Sequence, residues 1–200
     1  MGAKLYFRVG TMGSSKSTFL LTNAHSFAER KIPFICIKPE IDNRDDSYGL
    51  IKSKIGISRE CAMISKDTNI YNWFSQLLFE WKSANVGSAE WIFVDEVQFM
   101  TAEQIEQLAR IVDEFNVNVM CYGLRTDFQT HMFEGSKRLF ELADDIEEIK
   151  ISCKCGKKAI VNARLNEFGE VVTSGEQVML GGDDVYIPLC RSCYHNAIKK

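Results

Sequence analysis

The sequence predicts an α/β fold: a parallel sheet flanked by helices, with a small module appended toward the C-terminus. Short apolar segments rich in β-branched and aromatic residues alternate with segments of helical periodicity from residue 4 to residue 122. A glycine- and serine-rich turn follows the first apolar segment at once, and an acidic pair ends a later one. Beyond Ile151 the pattern changes to paired cysteines and short β-like pieces.

Lys4 to Val9 reads as the first strand, and Ser17 to Glu29 as a helix with Phe19, Leu20, Ala24 and Phe27 on one face. Ile32 to Ile37 is a continuous apolar run, which suits a parallel strand covered on both sides, and Pro39 closes it. Asp42 to Ser65 is polar with scattered glycines and is expected to form a long, mobile loop. Ile70 to Ser83 has helical spacing at Trp73, Leu77 and Trp81. Trp91 to Val94 is a strand running directly into Asp95-Glu96. Thr101 to Phe115 reads as a helix, with Thr101 as N-cap and Glu103 favourable to the helix dipole. Val117 to Tyr122 is a further strand. Strands and helices alternating in this way place ligands at the carboxyl edge of the sheet, where the polar motifs fall.

After a boundary near residue 150, Ala159 to Leu165 and Glu170 to Thr173 read as short β segments. Leu180-Gly181-Gly182-Asp183 is a glycine-rich link, and Arg191 to Lys199 a final helix. The expected division is therefore 1–150 and 151–200.

Two hundred residues suit one such domain with an appendage rather than two full cores. A net charge of −3 argues against a general nucleic-acid binder, which needs surplus basic charge. The apolar run before the first turn is too short for a secretory signal, and no later stretch is long enough to cross a bilayer, so the expectation is a cytoplasmic protein with no membrane partner. Seven cysteines in that reducing setting are expected to stay unpaired, with Cys36, Cys61 and Cys121 as small buried hydrophobes.

Gly10-Thr11-Met12-Gly13-Ser14-Ser15-Lys16-Ser17 follows a strand and opens a helix, the setting of a phosphate loop. Successive N–H groups there form an anion cradle, reinforced by the positive end of the helix dipole. Lys16 is expected to reach the β- and γ-phosphates of ATP, and the Ser17 hydroxyl to ligate Mg2+. Ser15 stands where glycine is usual, which costs on the order of 1 kcal/mol if the position demands a positive φ. Downstream, Asp95 and Glu96 at a strand end point to opposite sides. Asp95 suits the magnesium side, and Glu96 suits a general base for an attacking hydroxyl. The chain thus reads as a P-loop NTPase-type α/β protein.

Asp95-Glu96-Val97-Gln98-Phe99, together with a phosphate loop containing Met12, resembles thymidine kinase of the cytosolic, zinc-containing class. The bacterial branch fits especially well through Cys121-Tyr122-Gly123-Leu124-Arg125-Thr126-Asp127-Phe128 and Gly175-Glu176-Gln177-Val178. The likeness runs nearly end to end. It implies ATP-dependent phosphorylation of thymidine at the 5′-hydroxyl to give dTMP in pyrimidine salvage, with deoxyuridine as a second substrate. Glu96 would be the catalytic base, Gly10 to Ser17 and Asp95 to Gln98 would bind ATP, and Asp42 and Arg44 would lie near magnesium and phosphate.

The resemblance also implies a tail loop, or lasso, at about Thr173 to Pro188, whose backbone around Gln177, Val178, Met179, Leu180 and Gly181 would bind the thymine ring. Met12, Leu124, Phe128, Phe133 and Tyr186 match an apolar wall suited to the C5 methyl, whose burial is worth about 0.8 kcal/mol. It further implies a homotetramer.

Cys153-Lys154-Cys155 and Cys190-Arg191-Ser192-Cys193 are two close pairs across a long loop, the usual spacing logic of a four-thiolate structural zinc. The bacterial branch shares the tight first pair. Such a Zn2+ would tie the two ends of the lasso, and His195 is not expected among its ligands. Two rival readings remain in view. One is an impaired nucleotide-binding or regulatory homologue, motivated by Ser15; the other is a zinc-bearing ATPase acting on nucleic acid, disfavoured by charge.

Overall fold

The computed structural model describes residues 2–40, 48–84, 87–177 and 185–199. Its centre is a six-stranded parallel sheet of β1 (Leu5–Gly10), β2 (Phe34–Pro39), β5 (Ala62–Ile64), β6 (Trp91–Val94), β7 (Asn118–Leu124) and β8 (Asp145–Ile149), in the order β5-β2-β6-β7-β1-β8. Every pairing in it is parallel. The chain therefore crosses over between strands, and helices cover both faces.

On one face α2 (Ile70–Ser83), α3 (Ala102–Phe115) and α4 (Glu134–Leu142) flank the sheet, with a core that includes Phe7, Ile37, Phe74, Ile92, Val94, Leu108, Ile111 and Leu139. The other face carries α1 (Lys16–Glu29) and the hairpin of β3 (Leu50–Lys52) and β4 (Ser58–Glu60), packed through Leu20, Leu21, Ala24, Ile51, Phe93 and Tyr122. A separate three-stranded antiparallel sheet, with β9 (Val161–Leu165) between β10 (Val171–Val172) and β11 (Tyr186–Leu189), is followed by α5 (Arg191–Ala197). Its own core is small: Ala159, Val161, Ala163, Leu189 and Tyr194, with Cys153 and Cys190.

The α3 start follows from its sequence. Thr101 accepts the Gln104 N–H while the Gln104 side chain accepts the Thr101 N–H, a capping box that satisfies two end donors at once. The α2 start is capped by Asn69, whose side chain accepts the Asn72 N–H. The expected strands and helices in this part lie where the periodicity places them.

The stretch expected as one loop from Asp42 to Ser65 instead contains β3, β4 and β5, and β5 is an edge strand of the main sheet. Three-residue strands are too short to show alternation. Sequence reading also passes over α4 and β8. β8 is acidic and largely exposed, so it lacks an apolar signature; it is tethered by Arg8, which pairs with Asp145 at 2.5 Å and with Glu147 at 3.2 Å. The face of α1 differs as well: Lys16, Leu20, Leu21 and Ala24 are buried, whereas Phe19 is exposed. On α2 the deepest residues are Ile70 and Phe74, with Trp73 and Trp81 packed at the margin. Cys36 and Cys121 are buried as expected, and Cys61 is half-buried.

Candidate functional site

At the carboxyl end of β1, Gly10 leads into the phosphate loop. A Cβ at Gly10 would meet the Ile149 carbonyl at 2.8 Å, so the strand must carry glycine where the loop departs. Gly13 has φ 75, and Ser15 has φ 64 and ψ 25, the left-handed conformation that favours glycine. Ser15 is the N-cap of α1, yet its side chain makes no capping bond. The position does demand a positive φ, and serine there is strained without compensation.

Lys16 is buried, and its Nζ donates to the Thr11 carbonyl at 2.8 Å. The Ser17 side chain stands near enough to the Asp95 carboxylate to favour its charged form. Among the described residues, three buried oxygens around this loop, Thr11 Oγ1, Ser14 Oγ and Asp95 Oδ1, have no hydrogen-bond partner. Buried polar atoms are normally satisfied, so this grouping marks a place built for a polar ligand. Oxygen donors from Ser17 and Asp95 beside a lysine suit a magnesium–phosphate group.

Asp95 follows β6, and its N–H donates to the Ile37 carbonyl at 3.0 Å. Burial raises its pKa from the usual carboxylate range to about 7; neighbouring Glu96 pushes the same way, and Ser17 and Lys16 oppose. A buried carboxylate in this state gains from any cation placed against it.

Glu96 also adopts a left-handed conformation, φ 50, at the start of a 3-10 turn over Val97–Phe99. Strain of this kind costs on the order of 1–3 kcal/mol and is held by the surroundings. The carboxylate is held by Gln98, 2% exposed, whose Nε2 donates to Glu96 Oε2 at 2.5 Å. Gln98 Oε1 in turn accepts the Leu124 N–H at 3.0 Å, at the end of β7. Gly123 permits this approach, because a Cβ there would meet Gln98 Oε1 and Val97 Cγ1 at 2.8 Å. The Gln98 side chain, expected among the ATP-binding groups, thus bonds both the Glu96 carboxylate and the Leu124 N–H. Val97 is fully buried in the main core.

The residues expected to form a nucleoside wall lie on and after β7. Leu124 is buried at its end, and Phe133 is buried as the N-cap of α4, packed edge-on against Phe99. Phe128 is fully buried beneath the Arg164 guanidinium, 3.6 Å from its ring centre. Asp127 accepts the N–H groups of Gln129 and His131, each at 2.9 Å, and the Gln177 side chain at 2.9 Å. Arg164 donates to the carbonyls of Ser174 and Glu176 at 3.0 Å, and Gln129 Nε2 to that of Thr173 at 3.1 Å. Gln177 is therefore brought to the Phe128 loop. Tyr186 is half-buried at the start of β11, in register with Arg164. Met12 is half-buried, and its N–H donates to Asn162 Oδ1 at 2.8 Å. Asp42, Arg44, Val178, Met179, Leu180 and Gly181 lie outside the described residues.

Arg164, Asn162 and Asp127 are site neighbours that sequence reading passes over. One signal for two of them is legible: Val161-Asn162-Ala163-Arg164 alternates apolar and polar along β9, with Val161 and Ala163 in the small core and the polar pair on the opposite face.

The sulfur atoms of Cys153, Cys155, Cys190 and Cys193 all lie within 4.8 Å of one another, with Cys155 and Cys190 3.6 Å apart. Four thiolates around a tetrahedral metal at about 2.3 Å stand about 3.8 Å apart, so the set fits such an ion. Backbone N–H groups of Cys155 and Cys190 aimed at Cys153 lower its thiol to about 6. The Cys193 N–H lies 3.4 Å from the Cys190 sulfur and lowers that thiol too. The donor set is closed and all-sulfur, as a structural metal site requires. His195 is outside it.

The family profile described as thymidine kinase matches residues 3–194. The chain is 43% identical to the thymidine kinase of Enterobacteria phage T4 over 198 residues, covering 99% of this chain and 98% of that protein. It is 42% identical to the thymidine kinase of Mannheimia succiniciproducens, over 94% of this chain and 93% of that one, and 43% identical to that of Streptococcus pyogenes, over 97% and 98%. With a family profile matched over residues 3–194 and relatives 42–43% identical along nearly its whole length, this chain belongs to the thymidine kinase family.

Proposed function

We propose that this chain transfers the γ-phosphate of ATP to the 5′-hydroxyl of thymidine, and of deoxyuridine, giving dTMP in pyrimidine salvage. The observation that carries the reading is the Glu96 carboxylate, on a left-handed backbone and pinned by Gln98, one residue from Asp95, which is buried and feels Ser17 and Lys16 of the phosphate loop. The 43% identity to a protein named thymidine kinase supplies the substrate.

In this reading Gly10 to Ser17 hold the phosphates, with Lys16 exchanging the Thr11 carbonyl for the β- and γ-phosphate oxygens. Ser17 and Asp95 would hold magnesium, which would supply charge neutralisation on the phosphates. Asp42 and Arg44 act close by, on the strength of the sequence resemblance. Glu96 accepts the proton of the 5′-hydroxyl as that oxygen attacks in line; Gln98 keeps the carboxylate aimed. Met12, Leu124, Phe128, Phe133 and Tyr186 shape the nucleoside side, and Gln177 to Gly181 meet the thymine ring.

Zinc is the metal we assign to Cys153, Cys155, Cys190 and Cys193. Held there, it would tie residues 151–200 into a unit that closes over the nucleoside. We place the enzyme in the cytoplasm as a homotetramer, on family grounds. No helix among the described residues is long and apolar enough to cross a membrane.

Glu96→Gln tests the chemical assignment. It should lower kcat by roughly 100-fold or more while ATP affinity stays within a few-fold. Retention of most turnover would remove Glu96 from the chemistry.

The strained Ser15 favours one competing reading, an impaired homologue kept for nucleotide binding. A many-fold rise in activity on Ser15→Gly would support it.

A further inference from the structure

We propose that Asn162 is a positioning residue that couples the phosphate loop to the nucleoside side of the site. It belongs to neither the phosphate loop nor the acidic pair, and it sits on the central strand of the small sheet. Its side chain is 2% exposed and bonded at both ends: Oδ1 accepts the Met12 N–H at 2.8 Å, and Nδ2 donates to the Thr126 carbonyl at 2.8 Å. The partners fix the amide orientation, because a flipped amide would set donor against donor and acceptor against acceptor.

Both partners are main-chain groups, so Asn162 fixes the path of two loops rather than a rotamer. Met12 lies in the first limb of the phosphate loop, just before the left-handed turn at Gly13. With its N–H committed to Asn162, that limb of the loop is anchored. Thr126 immediately precedes Asp127, which holds Gln177, and Phe128, which lies beneath Arg164. Asn162 and Arg164 stand two apart on one face of β9, so a single strand grips both the donor loop and the acceptor wall. The strand is itself fixed by pairing with β10 and β11. In-line transfer is sensitive to such spacing, since a misplacement of about 1 Å can cost on the order of 100-fold in rate.

This inference rests on the kinase reading, and the variants are chosen to separate the two. Asn162→Asp has the same shape and still accepts the Met12 N–H, but sets a carboxylate oxygen against the Thr126 carbonyl. Asn162→Ala removes both bonds. Initial rates are measured against thymidine and against ATP, on zinc-loaded protein well below each variant's Tm.

Asn162→Asp should raise the thymidine KM roughly tenfold, the scale of one buried hydrogen bond, and leave the ATP KM within about twofold. Asn162→Ala should raise both KM values and lower kcat by tenfold or more at saturation. If the alanine variant does not fold, the aspartate variant carries the test alone. An active wild type with an Asn162→Asp variant of unchanged thymidine KM would overturn this inference. So would a variant that loses only Tm. A wild type without thymidine-dependent ADP formation would overturn the kinase reading, and this inference with it.

Discussion

Ser15→Gly should make the protein more stable. Ser15 is exposed, holds φ 64 and ψ 25, and makes no side-chain capping bond, so the substitution removes strain and sacrifices no capping bond. A side chain in the left-handed region costs about 1–2 kcal/mol relative to glycine. Glycine returns part of this by enlarging the conformational freedom of the unfolded chain, about 0.5–1 kcal/mol. The net gain is about 0.5–1 kcal/mol, or roughly 1–4 °C in Tm for a chain of this size.

Ser15→Ala is the control, since it deletes the hydroxyl but keeps the Cβ and the strain. Thermal melts of the three proteins without nucleotide should rank glycine above serine, with alanine at or below serine. A glycine variant that melts no higher than the alanine variant would refute the strain argument. Turnover of the glycine variant should match or modestly exceed that of the wild type, because the Cβ beside the phosphate cradle is gone.

Two other perturbations follow from the same geometry. Gln98→Leu strips Glu96 of its orienting donor and leaves the buried Leu124 N–H without an acceptor, a cost of about 1–3 kcal/mol. Its Tm and kcat should both fall, and an unchanged kcat would show that Glu96 needs no orientation. Chelation of the metal should release zinc, lower Tm and abolish thymidine turnover while nucleotide binding at the phosphate loop survives, because the small sheet has little core of its own. Elemental analysis with melting curves checks this, and an unaltered melt after complete zinc loss would refute a structural role.

Sequence pattern carried the central layers because β1, β2, β6 and β7 are apolar runs between turn signals, and α2 and α3 bring recognisable caps. It could not carry β8, whose exposed acidic residues are held by Arg8, nor the three-residue strands near residue 60, which exist through pairing rather than propensity. The candidate site divides along the same line. Gly10 to Ser17, Asp95, Glu96 and the four cysteines are legible because their chemistry depends on local spacing. The Gln98 bond to the Leu124 N–H, Arg164 over Phe128 and Asn162 between two loops depend on contacts across many residues of sequence, and spacing encodes none of them. The left-handed backbone at Ser15 is an intermediate case: its residue type marked the strain, and the dihedral supplies the sign.

The most direct test of the account is product identification with wild-type protein, thymidine, ATP and magnesium. The account predicts ADP and thymidine 5′-monophosphate in equal amounts, with deoxyuridine also accepted and ADP formation dependent on the nucleoside. Nucleoside-independent ATP hydrolysis, or phosphate placed on the 3′-oxygen, would contradict it.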